Sequence, residues 1–350
     1  MKNNILLLIS IGFFLFSCNK NEDTKPTGQF SNTVFIVNEG PFPTGTGTIS
    51  AYNRETGEVT ADIFETVNGR PLGNIVQSMA IHGDYAWIMV NNSNKIEVVT
   101  VDDFKSVITI DSIGSPRYAI FKDQKAYVSS WDNKIYIIDT ESYQVTGEIS
   151  TGSGPDELVI AGDYLFAVNT GGWGADSTIT WANINNIAET GELELSDRPC
   201  SLVVDKNQDL WVLCAGKGYN GYPDPLNDTR AVLYCIDPET RSVLRDDFFP
   251  STDIHPDNLV ISKDGADLYF TLPSGIYTVS VDPTLPESAV VDATVMYYGL
   301  GIDPVSGLLF ASDPLDFGQN GYVYVFDPED GSTVASFQAG IAPNGFCFSK

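Results

Sequence analysis

The segment GSPRYAIFKDQKAYVSSWDNKIYIIDTESYQVTGEI, residues 114–149, is one complete unit of a pattern that repeats along most of the chain. The unit contains four short runs rich in Val, Ile, Tyr and Phe, at residues 119–121, 126–129, 134–139 and 144–149. Polar turns separate these runs, and this composition predicts β-strands joined as an antiparallel meander. A four-stranded unit that recurs about every 40–45 residues is typical of a blade of a β-propeller.

The first run of the unit recurs seven times, each time from an equivalent position three residues before the centre of the predicted strand. These positions, which we call anchor residues, are Val76, Pro116, Pro155, Pro199, Pro256, Tyr297 and Pro343. Successive anchor residues are 39–57 residues apart. The second half of the unit recurs as well, as in IIDTESYQV and VFDPEDGSTV, where an Asp that can accept backbone hydrogen bonds marks the turn. The repeat predicts seven blades, although the fourth unit, TWANINNIAETGEL, departs from the pattern in its outer half.

The two ends of the repeat complement each other. The anchor residue Pro343 begins a first strand shortly before the chain ends at Lys350, whereas the amino-terminal unit has three outer strands and no first strand. Pairing the last strand with the first blade would close the ring and leave no long sheet edge exposed. We therefore predict an all-β fold over residues 30–350: a seven-bladed β-propeller of four-stranded antiparallel blades, closed by the carboxy-terminal strand.

The amino terminus, MKNNILLLISIGFFLFSC, has the form of an export signal. Lys2 precedes an apolar run at residues 5–16 that is too short to span a membrane as a helix. Its end, LFSC, resembles the lipobox of bacterial lipoproteins, in which a small residue precedes a cysteine that becomes lipidated. We predict a lipoprotein signal peptide at residues 1–17, lipidation of Cys18, and a flexible polar tether at residues 18–29. An ordinary secretory signal with an incidental cysteine is the alternative.

Charge and cysteine content restrict the partners of the chain. Its 350 residues include 46 acidic and 19 basic side chains, a formal net charge of −27, so nucleic acids and anionic membrane surfaces are poor partners. Of five cysteines, Cys18 is assigned to lipid. Cys200 and Cys214 would lie close together in the hairpin of the fifth blade, so one disulfide is an option in an oxidising compartment. The alternative is that the remaining cysteines are small, buried, apolar side chains.

Long and short connections separate onto the two ends of the predicted propeller. In a four-stranded blade, the connections from the second to the third strand and from one blade to the next lie at the same end. The four long insertions, residues 38–48, 170–178, 215–230 and 312–321, are all second-to-third-strand connections. Their aromatic side chains are Phe42, Trp173, Tyr219, Tyr222 and Phe317. Aromatic rings among small polar residues form a platform for a planar or amphipathic ligand. The alternative is that each ring packs under its own loop.

The connections between blades, together with the loop of Trp131, bring further side chains toward the central opening at the same end. These side chains are Arg117, Asp156, Arg198, Asp257, Tyr298 and Asn344. The two arginines would suit a phosphate or carboxylate of a ligand, or would pair with the surplus of Asp and Glu. The predicted ligand-binding residues are Phe42, Arg117, Trp131, Trp173, Arg198, Tyr219, Tyr222, Tyr298 and Phe317.

Signals for catalysis are few. The chain has two histidines, His82 in a turn of the regular end and His255 just before Pro256, and these should lie at opposite ends of the propeller. Propeller lyases with paired histidines, and lactonases with a metal cage of His, Asp and Glu, need such side chains to converge. The chain contains no nucleophile elbow, P-loop, zincin motif or calcium-loop spacing. We therefore predict a protein that is not an enzyme and holds no cofactor or metal.

The repeat resembles that of the YVTN or YncE-like seven-bladed propellers, and with the lipobox the chain is similar to surface lipoproteins of Bacteroidetes built on that fold. The resemblance implies capture of a corrinoid, vitamin B12, on the propeller face and its delivery to an outer-membrane transporter. It also implies an outer-membrane location, with a lipid anchor and the propeller facing the cell exterior. A protein or glycan adhesion module and a metal-dependent lactonase or lyase are the alternatives.

Overall fold

The computed structural model describes residues 29–218, 227–281, 285–286 and 288–349. Several sequence-based predictions concern residues outside these ranges. They are the signal peptide, Cys18, the tether up to residue 28, Tyr219 and Tyr222. In the described part of the chain, no helix has the length and apolar character needed to cross a membrane.

The described residues form 28 β-strands and one short α-helix. In chain order the strands are β1 (Thr33–Asn38), β2 (Thr48–Asn53), β3 (Val59–Thr60), β4 (Val76–His82), β5 (Tyr85–Val90), β6 (Lys95–Thr100), β7 (Ser106–Asp111), β8 (Pro116–Lys122), β9 (Lys125–Ser130), β10 (Lys134–Asp139), β11 (Val145–Ser150), β12 (Pro155–Ala161), β13 (Tyr164–Asn169), β14 (Thr178–Asn183), β15 (Asn186–Glu194), β16 (Pro199–Val204), β17 (Leu210–Cys214), β18 (Val232–Asp237), β19 (Ser242–Phe248), β20 (Asp257–Ile261), β21 (Asp267–Leu272), β22 (Gly275–Ser280), β23 (Val291–Asp292), β24 (Gly299–Ile302), β25 (Leu309–Asp313), β26 (Asn320–Phe326), β27 (Thr333–Ile341) and β28 (Pro343–Phe348). The helix, α1, is Ile63–Asn68.

These strands form seven antiparallel four-stranded sheets, which confirms the predicted seven-bladed propeller. Blade 1 has the order β28-β1-β2-β3, and blades 2 to 7 each take the next four consecutive strands. The segment 114–149 is blade 3, in which β9 and β10 pair in an unbroken register. The fourth blade, whose sequence departs from the repeat, is a complete four-stranded sheet with a nine-residue outer strand, β15.

The core lies between neighbouring blades. Trp87 and Met89 of β5, for example, pack in one cluster with Ala126 and Val128 of β9. Strand β9 is almost wholly buried, whereas the outer strand β11 is largely exposed. The sequences of the middle strands are continuous apolar runs, because an adjacent sheet covers each of their two faces. This packing fixes the radial position of each blade.

The ring is closed as predicted, by pairing of β1 with β28 from Val34↔Phe348 to Asn38↔Pro343. A buried ion pair reinforces this seam. The Arg54 guanidinium donates two hydrogen bonds of 2.9 Å to the Asp303 carboxylate and one of 2.9 Å to the Ser349 carbonyl oxygen. The first blade, the seventh blade and the end of the chain are therefore held together by one side chain.

The strand ends that the four long connections join lie at one end of the propeller, which we call the loop-rich end. The connection from blade 1 to blade 2 lies there too and contains α1, which the sequence analysis did not predict. Asp62 caps the helix by accepting a hydrogen bond from the Glu65 amide, and Gly69 ends it in the left-handed region at φ 66°. The chain leaves β22 at the opposite end, and by β23 it has returned to the loop-rich end, where Val291 and Asp292 pair with Ile276 and Gly275.

Candidate functional site

A cavity of about 330 Å³ lies at the loop-rich end, around the propeller axis. Each blade contributes to it the residue that directly follows its anchor residue. We call these seven side chains the inner ring: Gln77, Arg117, Asp156, Cys200, Asp257, Tyr298 and Asn344. The sequence repeat therefore places one equivalent residue of each blade at the central cavity, and the site has the same sevenfold arrangement as the blades.

Bulges at the start of the innermost strands explain this orientation. The pairing register shifts after Pro116, Pro155 and Asp257, and likewise near the start of β4 and of β16. A bulge leaves extra residues unpaired and turns their side chains away from the regular alternation. Consecutive residues such as Asp156 and Glu157 consequently both line the cavity.

Arg117 is the most strongly connected member of the inner ring. Its Nε and Nη2 donate to the two carboxylate oxygens of Asp156 at 3.0 and 3.1 Å, and its Nη1 donates to the Gln77 side-chain oxygen. Both charged side chains are largely buried, with 13% and 12% exposure. This is the pairing that the sequence analysis gave as the alternative to ligand contact. The guanidinium also lies 4.1 Å from the ring centroid of Trp131, a cation–π contact that fixes the indole.

Trp131 and Trp173 form an aromatic pair at the cavity wall. Trp131 lies in the short connection between β9 and β10, and Trp173 lies in the glycine-rich connection between β13 and β14. Their rings meet edge to face with centroids 5.6 Å apart. Trp173 is 88% exposed, an unusual state for the largest apolar side chain, and it still lines the cavity. The pair offers a ligand one fixed and one open aromatic surface.

On the other side of the cavity, the Glu39 side chain forms hydrogen bonds with one residue of blade 7 and one of blade 1. Its Oε1 accepts hydrogen bonds from the Tyr298 hydroxyl at 3.1 Å and from the Asn344 amide at 3.0 Å. Tyr298 is in turn in edge-to-face contact with Phe317, with centroids 5.1 Å apart. Phe317 is 40% exposed and extends this wall toward solvent.

Burial makes the cavity less negative than its carboxyl count suggests. It raises the pKa of Glu157 to about 8, and the neighbouring charge of Asp156 adds to the shift. Burial also raises the pKa of Asp257, against the opposing charge of Arg198, and the pKa of Glu39, against the hydrogen bond from Tyr298. At neutral pH Glu157 therefore carries a proton and can donate a hydrogen bond as well as accept one.

Buried polar atoms at this site without a hydrogen-bond partner within the described residues include the Nε1 donor of Trp131 and the Oδ1 acceptor of Asn344. Unpaired buried polar groups are costly, at about 1–3 kcal/mol each. Both atoms are shielded from solvent, so this cost belongs to the packing of the cavity wall.

The structure brings together five of the nine predicted ligand-binding residues: Arg117, Trp131, Trp173, Arg198 and Tyr298. Phe317 contacts the cavity only through Tyr298, and Phe42 is 70% exposed and does not line it. Tyr219 and Tyr222 lie outside the described residues. Sequence reasoning missed further lining residues, including Glu39, Gln77, Tyr118, Glu157 and Cys200. Counting one residue past each anchor would have found Gln77 and Cys200.

Neither histidine is among the residues that line this cavity. His82 lies at the β4–β5 turn and stacks on Phe121, whereas the Nδ1 atom of His255 lies 2.7 Å from the Ala215 carbonyl oxygen before β20. Among the residues that the structure describes, no three His, Cys, Asp or Glu side chains are grouped to hold a metal ion. Cys200, Cys214, Cys235 and Cys347 are free and buried, so the second interpretation of the cysteines is confirmed and no Cys200–Cys214 disulfide forms.

The fold and this cavity define a class: a seven-bladed β-propeller with an axial cavity at its loop-rich end. The chain belongs to the family described as Domain of unknown function (DUF5074), whose model matches residues 32–341. No curated protein matches the sequence.

Three solved structures with a similar fold match this chain at low sequence identity. Kuenenia stuttgartiensis hydrazine synthase matches at 15% identity and a TM-score of 0.61, over 77% of this chain and 88% of that one. The β-propeller domain of Myceliophteria thermophila Cps50 (Swd1) matches at 11% identity and a TM-score of 0.62, over 79% and 90%. The computationally designed Ika8 protein matches at 12% identity and a TM-score of 0.58, over 93% of both chains. Identities this low show a shared fold alone.

Proposed function

We propose that this protein is a non-enzymatic receptor that captures a small molecule at the loop-rich end of the propeller. The observation that carries the proposal is the convergence of the inner ring, one side chain from every blade, on a single open cavity with the exposed Trp173 beside it. Sites of this kind combine aromatic surface with a few placed polar groups, and they concentrate on loops held by a rigid scaffold.

The ligand we propose is a corrinoid, the ligand implied by the resemblance to YncE-like surface lipoproteins of Bacteroidetes. A corrin ring is too large for a cavity of about 330 Å³. It would lie across the mouth, against Trp173 and Phe317, and insert one peripheral amide. An amide supplies both a donor and an acceptor for the amide, carboxyl and guanidinium groups that line the cavity. A protonated Glu157 also suits an uncharged polar group.

Calorimetric titration of the purified protein with cyanocobalamin tests this proposal. We expect saturable binding at micromolar concentration or tighter, at least tenfold weaker in Trp173→Ala and unchanged in Tyr85→Ala. Tyr85 is a matched control because it is an exposed aromatic residue, 39% accessible, at the opposite end of the propeller. Absence of binding at micromolar concentration would overturn the corrinoid assignment, and a glycan-array signal in its place would favour the adhesion alternative.

We propose further that Cys18 is lipidated and anchors the propeller to the outer membrane, facing outward, where it delivers its ligand to a transporter. Support comes from the lipobox-like segment that ends at Cys18 and from a net charge that suits an exported chain. Metabolic labelling with a fatty acid should mark the wild-type protein and not Cys18→Ala. Protease treatment of intact cells should degrade the anchored propeller, and full protection would place it on the inner side of the membrane.

A further inference from the structure

A second concave site lies away from the axis, between blades 5 and 6. This groove has a volume of about 820 Å³, more than twice that of the central cavity. Its apolar wall is formed by Phe248, Phe249, Ile254, Phe270, Leu272 and Tyr277. Ligand sites in proteins are typically about 300–1,000 Å³ and lined mainly by apolar and aromatic side chains. The groove therefore has the dimensions and lining of a binding site for a small molecule.

The groove lies beside the short outer strand of blade 6, and Leu285 and Pro286, which precede that strand, form part of its wall. Strand β23 has two residues and pairs only with Gly275 and Ile276, so it does not extend along β22 to Tyr277. Blade 1 has an equally short outer strand, β3, but there α1 fills the space with Ile63 and Phe64, which are completely buried. Among the described residues, no helix takes that place beside blade 6.

The aromatic residues of the groove are held in a fixed arrangement. Phe249 meets Phe270 edge to face at 5.6 Å, and Phe270 lies parallel to Tyr277 at 5.8 Å. Phe249 and Phe270 are buried at the base, whereas Phe248 is 45% exposed at the edge. Aligned rings of this kind favour a ligand that itself contains rings.

The polar groups of the groove indicate the charge of the ligand. Arg245 is paired with Asp247, its Nη2 donating to Oδ1 at 2.9 Å, and the third ionisable lining residue is Asp253. With the Arg230 guanidinium 4.9 Å from the Phe248 ring centroid, two carboxylates face two guanidinium groups, so the groove has no surplus of positive charge to attract an anion. The hydroxyls of Ser274 and Tyr277, 2.8 Å apart, offer hydrogen bonds at the wall.

From these observations we infer that the groove between blades 5 and 6 is a second binding site, which takes an uncharged, largely apolar small molecule that contains rings. It is separate from the axial cavity, because the connection at residues 249–256 runs between the two: Asp253 lines the groove and Asp257 lines the cavity.

Fluorescence titration with two probes tests this inference on the purified protein. We expect the neutral dye Nile red to bind saturably, with one site per chain, and the anionic dye anilinonaphthalene sulfonate to bind at least tenfold more weakly. Phe248→Asp should weaken Nile red binding at least tenfold. Val243→Asp is the matched control, because Val243 lies at the other end of the same strand with the same 45% exposure and does not line the groove.

Three results would overturn the inference. The first is Nile red binding that Phe248→Asp leaves unchanged. The second is a stronger response to the anionic dye. The third is dimerisation by light scattering that Phe248→Asp abolishes, since a second copy of the chain would then occupy the groove. Trp173→Ala should leave Nile red binding unchanged, so the outcome is independent of ligand capture at the axial cavity.

Discussion

Glu97 and Glu157 are both glutamates set among the strands of the propeller, yet the fold shifts their pKa values in opposite directions. Around Glu97, burial is outweighed by hydrogen bonds from Arg70 and Ser106, and its pKa is lowered. Around Glu157, burial acts with the charge of Asp156, and its pKa rises to about 8. The arginine at Glu97 stabilises the junction between blades, whereas the axial cavity keeps a carboxyl that is neutral at pH 7. The comparison separates a charged carboxylate that stabilises the fold from a neutral carboxyl that lines the cavity.

The largest expected effect comes from breaking the Glu97 site. Arg70→Met removes the guanidinium that donates to Glu97 at 2.6 and 3.2 Å and leaves a fully buried carboxylate with weaker partners. We expect a loss of about 3 kcal/mol in the free energy of unfolding, measured with urea at pH 7. The matched control is Lys134→Met, which breaks an exposed pair with Glu148 and should leave the free energy of unfolding nearly unchanged. Equal losses in the two variants would contradict the comparison.

A smaller effect is expected where an ion pair borders the cavity. Arg117→Met keeps an apolar side chain beside Trp131 but leaves Asp156 without its bidentate partner. We expect the free energy of unfolding to fall by about 1–3 kcal/mol, because water in the open cavity can solvate the carboxylate in part. Ligand binding should weaken in the same variant, since Trp131 loses its support. Calorimetry and urea unfolding of one preparation give both values, and unchanged binding would show that Trp131 is not a contact.

The third test compares how the contributions of the two glutamates to stability depend on pH. The pKa of Glu157 in the folded state, about 8, lies above the ordinary value of 4.5, so between these values the folded protein binds more protons than the unfolded chain. Its contribution to stability is therefore lost as pH rises through this range, by at most about 1.4 kcal/mol per pH unit. As pH rises from 5.5 to 8, Tm should decrease less in Glu157→Gln than in the wild type. A profile parallel to that of the wild type would refute the shift.

Glu97 is the control for that experiment, because its pKa is shifted in the opposite direction. Its pKa in the folded state is lowered, so its contribution is present above the ordinary value of 4.5 and is lost as pH falls through the lower, folded-state value. Glu97→Gln should therefore reduce Tm at pH 7 and leave the slope between pH 5.5 and 8 unchanged.

Much of the fold could be predicted from the sequence, because each blade repeats the same local signals. Apolar runs of strand length, Asp-marked turns and incomplete units at the two ends predict seven blades and their closure. The helix α1 was missed because its six residues carry no helical period long enough to detect.

The site was predictable only in part, for a physical reason. Connections between blades pointed to Arg117 and Tyr298, which do line the cavity. Strict alternation along a strand directs Asp156 and Glu157 to opposite faces, and the bulge after Pro155 places both at the cavity instead. Such bulges depend on how the sheet is packed around the axis, which no single unit of the repeat reveals.

The smallest effect is expected at Phe42, which the sequence placed among the binding residues and the structure places outside the cavity wall. Phe42 is 70% exposed, so Phe42→Ala should change the free energy of unfolding by less than about 0.5 kcal/mol. Because the proposed ligand contacts Trp173 and Phe317 at the mouth, cyanocobalamin affinity should stay within twofold of the wild-type value. A tenfold loss would instead mean that the ligand extends over blade 1, and the cavity would then be only one part of a wider binding surface at the loop-rich end.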